Sequence, residues 1–126
     1  MIKLYNCLLV DPFREHVLRI QLPEERFLDS CKNVMGITSP IDIITLANDR
    51  MIILDDEGLL NDVTQRYFKL DEYPQPLAGR AIIVSFDDEG ETTNIDSEAF
   101  EHFIQTTDFK PDGHVESPYM AFTPLP

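Results

Sequence analysis

The sequence contains no tryptophan, two cysteines, five glycines, and only ten Lys and Arg against 23 Asp and Glu. Each scarcity excludes something. A formal net charge of -13 disfavours direct contact with a nucleic-acid backbone, because phosphate binding needs Lys and Arg in surplus. The longest apolar runs, such as those at 7–10, 51–54 and 81–84, are four residues, far short of the ~20 that a membrane-spanning helix needs. Residues 1–10 lack the charged region and apolar stretch of a secretory signal, and two cysteines demand no disulfide framework, so a reducing cytoplasm is expected. No CxxC, HxxxH or HExxH spacing joins Cys7, Cys31, His16, His102 and His114, and no metal site follows. GxSxG, P-loop and GxGxxG motifs are absent too. No catalytic residue and no cofactor are assigned, and a non-enzymatic role is expected.

What is present suits one globular unit. The chain has 126 residues, 43% of them apolar, enough for a single core without a metal or disulfide staple. Residues 2–10 read as a strand, and 16–22 alternate with Leu18, Ile20 and Leu22 on one side, so a hairpin joins them. Pro23 stands where a helix would begin, followed by Glu24 and Glu25 in the first turn. Phe27, Leu28, Cys31, Val34 and Met35 recur at helical spacing, and Gly36 is a candidate C-cap. Cys7 and Cys31 both read as buried apolar residues. Residues 41–47 and 50–54 form a second strand pair, turned by Asn48 and Asp49, which tolerate positive φ.

Leu60, Val63, Tyr67 and Leu70 predict a further helix, with residues 71–78 a proline-bearing loop. Strands at 80–86 and 92–95 follow. A last helix is expected with Asp96 or Ser97 as N-cap and with Phe100, Phe103 and Ile104 inward. His102 reads as a surface residue near Glu98. The order is ββα three times. It predicts an α+β fold: a mostly antiparallel sheet with two or three helices on one face. Residues 1–108 would be the domain. Residues 109–126, with four prolines, would be an irregular tail, either a docking peptide or packed back on the domain.

The charge is uneven along the chain. Residues 1–54 carry seven acids and six bases; residues 55–126 carry sixteen acids and four bases. Asp-Asp-Glu-Gly occurs twice, at 55–58 and 87–90, each time after an apolar run. Both copies read as turns, with Asp bonding the backbone and Gly supplying positive φ. Neither has the ligand spacing of a calcium loop.

The stretch RMIILDDEGLLNDVTQRYF, with the later LAGRAIIVSFDDEG, resembles a small uncharacterised domain family carried by bacteriophages and mobile elements. Its members pair a DEEGLL-type turn with a later GxAxV strand and a second acidic turn. The matching positions here are Asp56, Glu57, Gly58, Leu59 and Leu60, then Gly79, Ala81, Ile83 and Val84, within residues 41–96 and more faintly 2–96. The resemblance implies no catalytic residue. It implies accessory proteins, some of which antagonise host defence.

The leading expectation is an acidic interaction protein of a phage or mobile element, acting in the host cytoplasm on a basic nucleic-acid-handling or defence protein. Its partner-binding face would comprise Asp55, Asp56, Glu57, Asp87, Asp88, Glu89, Glu91, Glu98 and Glu101. One alternative is a protein that sequesters a nucleotide-like signal, if Arg14, Arg19, Arg50, Arg66, Lys69 and Arg80 converge. Another is an assembly module without a ligand, a homodimer among its forms.

Overall fold

A computed structural model describes residues 3–57 and 66–110. The first hairpin pairs β1 (Leu4–Asp11) with β2 (His16–Pro23), and the second pairs β3 (Ile41–Leu46) with β4 (Arg50–Asp55). Asn48 and Asp49 both take positive φ, 61° and 56°, as the second turn requires. β7 (Ala81–Phe86) lies between the hairpins and pairs antiparallel with β1 on one side and β4 on the other. The sheet therefore runs β2-β1-β7-β4-β3, every pair antiparallel, with β8 (Thr92–Thr93) pairing the end of β7. A separate two-stranded ribbon joins β5 (Tyr67–Phe68) to β6 (Leu77–Ala78).

Helix α1 (Phe27–Met35) connects the two hairpins and buries Phe27, Cys31 and Met35, spaced four apart. They pack on Cys7, Leu9, Ile53, Ile82 and Val84. Helix α2 (Ala99–Thr106) buries Ala99 and Phe103 against Leu8, Val10, Ile52, Ala81 and Ile83, joined by Phe68, Leu70 and Leu77 from the ribbon region. Neighbours along a strand point to opposite faces, so Cys7 and Leu9 look one way while Leu8 and Val10 look the other. The helices thus cover opposite faces, not one. That is why the central strands read as unbroken apolar runs: residues 81–84 are all fully buried. β2 does not bury one side alone: Leu18 is 40% exposed. Leu22 and Val17 lie on opposite faces, yet both are 6% exposed.

Other expectations also change. Pro23 ends β2 opposite Leu4, and α1 starts four residues later, after Arg26 in the left-handed conformation (φ 53°) with no side-chain cap. Gly36 does close the helix, at φ 74°, its N–H donating to Asn33 O. Among the described residues the threefold ββα order is not confirmed. Leu60, Val63 and the rest of 58–65 lie outside the described residues, but Tyr67 is strand and Lys69 bridges Asp108. Residues 111–126, and with them most of the expected tail, also lie outside. The observed class is α+β with a mostly antiparallel sheet and two helices among the described residues.

Candidate functional site

The two Asp-Asp-Glu-Gly turns follow β4 and β7, and these strands are antiparallel. Their register sets Arg50 opposite Ser85 and Ile53 opposite Ile82. Asp55, Asp56 and Glu57 therefore leave the sheet at one end, and Asp87, Asp88, Glu89 and Glu91 at the other. About six residues at ~3.4 Å rise separate them, roughly 20 Å along the strands. The nine carboxylates do not share one patch.

At the Asp87 end the Asn48-Asp49 turn lies beside the end of β7: Phe86 N–H donates to Asp49 O at 2.9 Å. Asp49, Asp87, Asp88, Glu89 and Glu91 are all exposed there. None of the five is in an ion pair among the described residues. Asp87 itself is structural, since its Oδ1 accepts the N–H groups of Glu89 (2.9 Å) and Glu91 (3.0 Å). In the other turn Asp55 has the same task, accepting Glu57 N–H at 2.9 Å and the Ser39 hydroxyl. Glu98 and Glu101 begin α2 on the opposite face from α1, exposed.

Beneath α2 lies a polar cluster that the sequence reading did not find. Arg50 opens β4 and its side chain is 6% exposed. It grips Asp96 with a two-pronged contact, Nε to Oδ1 at 2.9 Å and Nη2 to Oδ2 at 2.7 Å. Nη1 stands 3.9 Å from Glu72 Oε1, and the guanidinium lies 5.5 Å from the centre of the Phe103 ring. His102 Nε2 approaches the same Glu72 oxygen at 3.5 Å. The hydrogen bond from Arg50 holds the Asp96 carboxyl below the usual carboxylate range, and the same bond raises Arg50.

Asp96 therefore serves Arg50 and does not cap α2, whose start has no side-chain cap. His102 faces inward to Glu72, not outward to Glu98. Glu72 is in turn positioned by Lys69, whose Nζ donates to Leu70 O (3.2 Å) and Tyr73 O (2.9 Å). A fork geometry suits Arg and carboxylate; Arg50 and Glu72 are shielded, their side chains 6% and 15% exposed, while Asp96 closes the fork from the solvent side at 44%. The cluster is a clamp fastening α2 and the 71–76 loop to the sheet. Nothing in the order of residues marked Arg50: its partners lie 22 and 46 positions away.

Four of the six cations proposed to converge on an anion are engaged separately. Arg50 is in the clamp, Arg80 Nε pairs with Asp11 at 3.3 Å, Arg19 stacks 4.1 Å over Phe100, and Lys69 bonds backbone carbonyls. Cys7 and Cys31 are buried free thiols, both pushed up to about 12 by burial, Cys31 also by its neighbour Cys7. Among the described residues no group of three or more His, Cys, Asp or Glu is placed to hold a metal. No helix among them is long and apolar enough to cross a membrane.

These features define a small α+β domain, an antiparallel sheet covered on both faces, with acidic turns after β4 and β7. Residues 4–108 match DUF3846, a domain of unknown function, and the chain belongs to that family. No curated protein and no solved structure matches it.

Proposed function

We propose that the chain is a non-enzymatic interaction protein whose Asp87 end meets a basic protein surface. The observation that carries this is the Asn48-Asp49 turn beside the turn after β7, which sets the exposed Asp49, Asp87, Asp88, Glu89 and Glu91 at one end of the sheet, none of them in an ion pair among the described residues. Carboxylates gathered this way repel one another, a cost that an opposing positive surface relieves. Complementary potentials also speed encounter, with strong salt dependence. The resemblance to phage and mobile-element proteins supplies the setting: a host cytoplasm, with a nucleic-acid-handling or defence protein as the partner to be inhibited. Asp55, Asp56 and Glu57, at the far end, are outside the proposed contact.

The test leaves Asp87 in place, because its carboxylate builds the turn. Asp88→Lys, Glu89→Lys and Glu91→Lys together are compared with Asp56→Lys and Glu57→Lys in pull-downs from a bacterial lysate at low and high salt. Basic proteins captured at low salt should be lost in the triple variant and kept in the double one. Capture that is indifferent to the triple reversal rejects the reading.

A further inference from the structure

On the α1 face, beside the acidic end, a groove of about 620 Å³ runs between the start of α1 and the edge of the sheet. Phe27, Met51 and Ile53 line it, all less exposed than the two that follow. Leu28 and Ile43 line it as well, and each is 46% exposed, among the most exposed large apolar side chains described. Its charged lining is Glu24, Asp29 and Glu91 with one cation, Arg26, and Glu91 belongs to the acidic turn itself. We propose that this groove receives a basic amphipathic helix of the partner, its apolar stripe on Leu28 and Ile43 and its Lys and Arg against these carboxylates. The proposal rests on the reading that the Asp87 end meets a basic partner.

Three observations select that occupant. An apolar lining that includes carboxylates is complementary to a helix with anchors at i, i+3, i+4 and bases beside them. The two cations nearby, Arg26 and Lys3, are tied to Asp29 (3.0 Å) and Glu24 (3.3 Å) in exposed pairs. Such pairs contribute little and exchange readily for a partner's cations. A strand is the poorer fit. β3 has no second neighbour among the described residues, and Asp56 N–H donates to Pro40 O. In that register the even-numbered residues of β3 bond to β4, so Ile43 N–H faces the free edge. It is already donated to Asp42 Oδ1 at 2.9 Å, which removes the central donor that strand addition would use.

The probe is a fluorescein-labelled peptide of Leu and Lys, about 18 residues long, with Leu at helical spacing. Its controls are a scramble of identical composition and a version with Glu for Lys. Binding is read by anisotropy, and amide shifts by NMR. The amphipathic peptide should bind about tenfold tighter than the scramble, shifting residues 24–29, 43, 51 and 90–92. Leu28→Gln with Ile43→Thr, exposed positions that leave charge unchanged, should weaken it by about tenfold, as the loss of two buried apolar contacts predicts. Glu101→Lys, on the opposite face, should leave it unchanged.

Equal binding of the scramble, or indifference to the Leu28 and Ile43 changes, overturns the groove and leaves the acidic end standing. Amphipathic binding that survives Asp88→Lys, Glu89→Lys and Glu91→Lys overturns the electrostatic reading and, because Glu91 lines the groove, the ionic part of this proposal with it. If no cationic peptide binds, or the Glu version binds equally, both fall.

Discussion

On the α1 face the sheet is sealed by Phe27, Cys31 and Met35 over Cys7, Leu9 and Ile82; on the α2 face Phe103 and Ala99 share the work with Arg50, Asp96 and Glu72. The first seal is hydrocarbon and thiol, non-directional, and tolerant of small shifts in the helix. The second includes an ion cluster that works only in one geometry. Burying charge is costly, and the attraction offsets that cost only while every partner is present. The clamp therefore does little for net stability and much for position. It fixes where α2 begins and where the 71–76 loop crosses, whereas α1 is held by shape alone.

The largest expected effect tests that contrast directly. Arg50→Met leaves Glu72 and Asp96 without their cation and should cost about 3 kcal/mol, read as a lower denaturant midpoint at unchanged slope. Adding Asp96→Asn to Arg50→Met should recover part of it, because the second carboxylate is then no longer stranded. If Arg50→Met costs less than about 0.5 kcal/mol, the range of an ordinary surface change, the clamp is decorative and the two faces are alike.

On the thiol side, Cys31→Ser places a hydroxyl where only apolar atoms pack and should cost about 2 kcal/mol. Cys31→Ala should cost about 1 kcal/mol, leaving a small cavity. With both thiols pushed up to about 12, thiol reagents at neutral pH should modify the folded chain only as it unfolds. Rapid labelling of Cys31 would mean that this face opens to solvent.

The smallest effect concerns pH and the exposed side of the clamp. The Asp96 carboxyl is held down by Arg50, so the folded chain takes up that proton less readily than the unfolded one. Its contribution is complete above the unfolded carboxyl value of about 3.9 and is lost as pH falls through the lower folded value. Asp96→Asn should therefore cost about 1 kcal/mol at pH 6, discounted because the side chain is half exposed. That difference should shrink below about pH 4. A difference that stays constant to pH 2.5 would assign the role of Asp96 to packing and not to charge.

Local chemistry was legible in the order of residues. The Asn48-Asp49 turn, the Gly36 cap, the apolar period of α1 and the buried cysteines all follow from φ preferences and spacing, which act over a few residues. The misreadings share a cause. Pro23, Asp96 and His102 have locally plausible tasks, as helix start, cap and surface residue, and each is claimed instead by a partner from elsewhere: Leu4, Arg50 and Glu72. The Tyr67–Leu70 spacing suggested a helix, and pairing with residues 77–78 made its start a strand.

The candidate site divides in the same way. Its chemistry, an excess of carboxylates with one acidic tetrapeptide repeated, is written in the sequence, and the first Asp of each copy holds backbone N–H groups two to four residues on. Whether the two copies meet was a question of strand direction. Because β4 and β7 run antiparallel, one peptide repeated twice was sent to opposite ends of the sheet, and the acidic end was assembled from Asp49 and the second copy alone. Pairing direction is settled by burying all of the central strands' apolar side chains at once, a cooperative balance over the whole sheet that no short stretch of the chain contains.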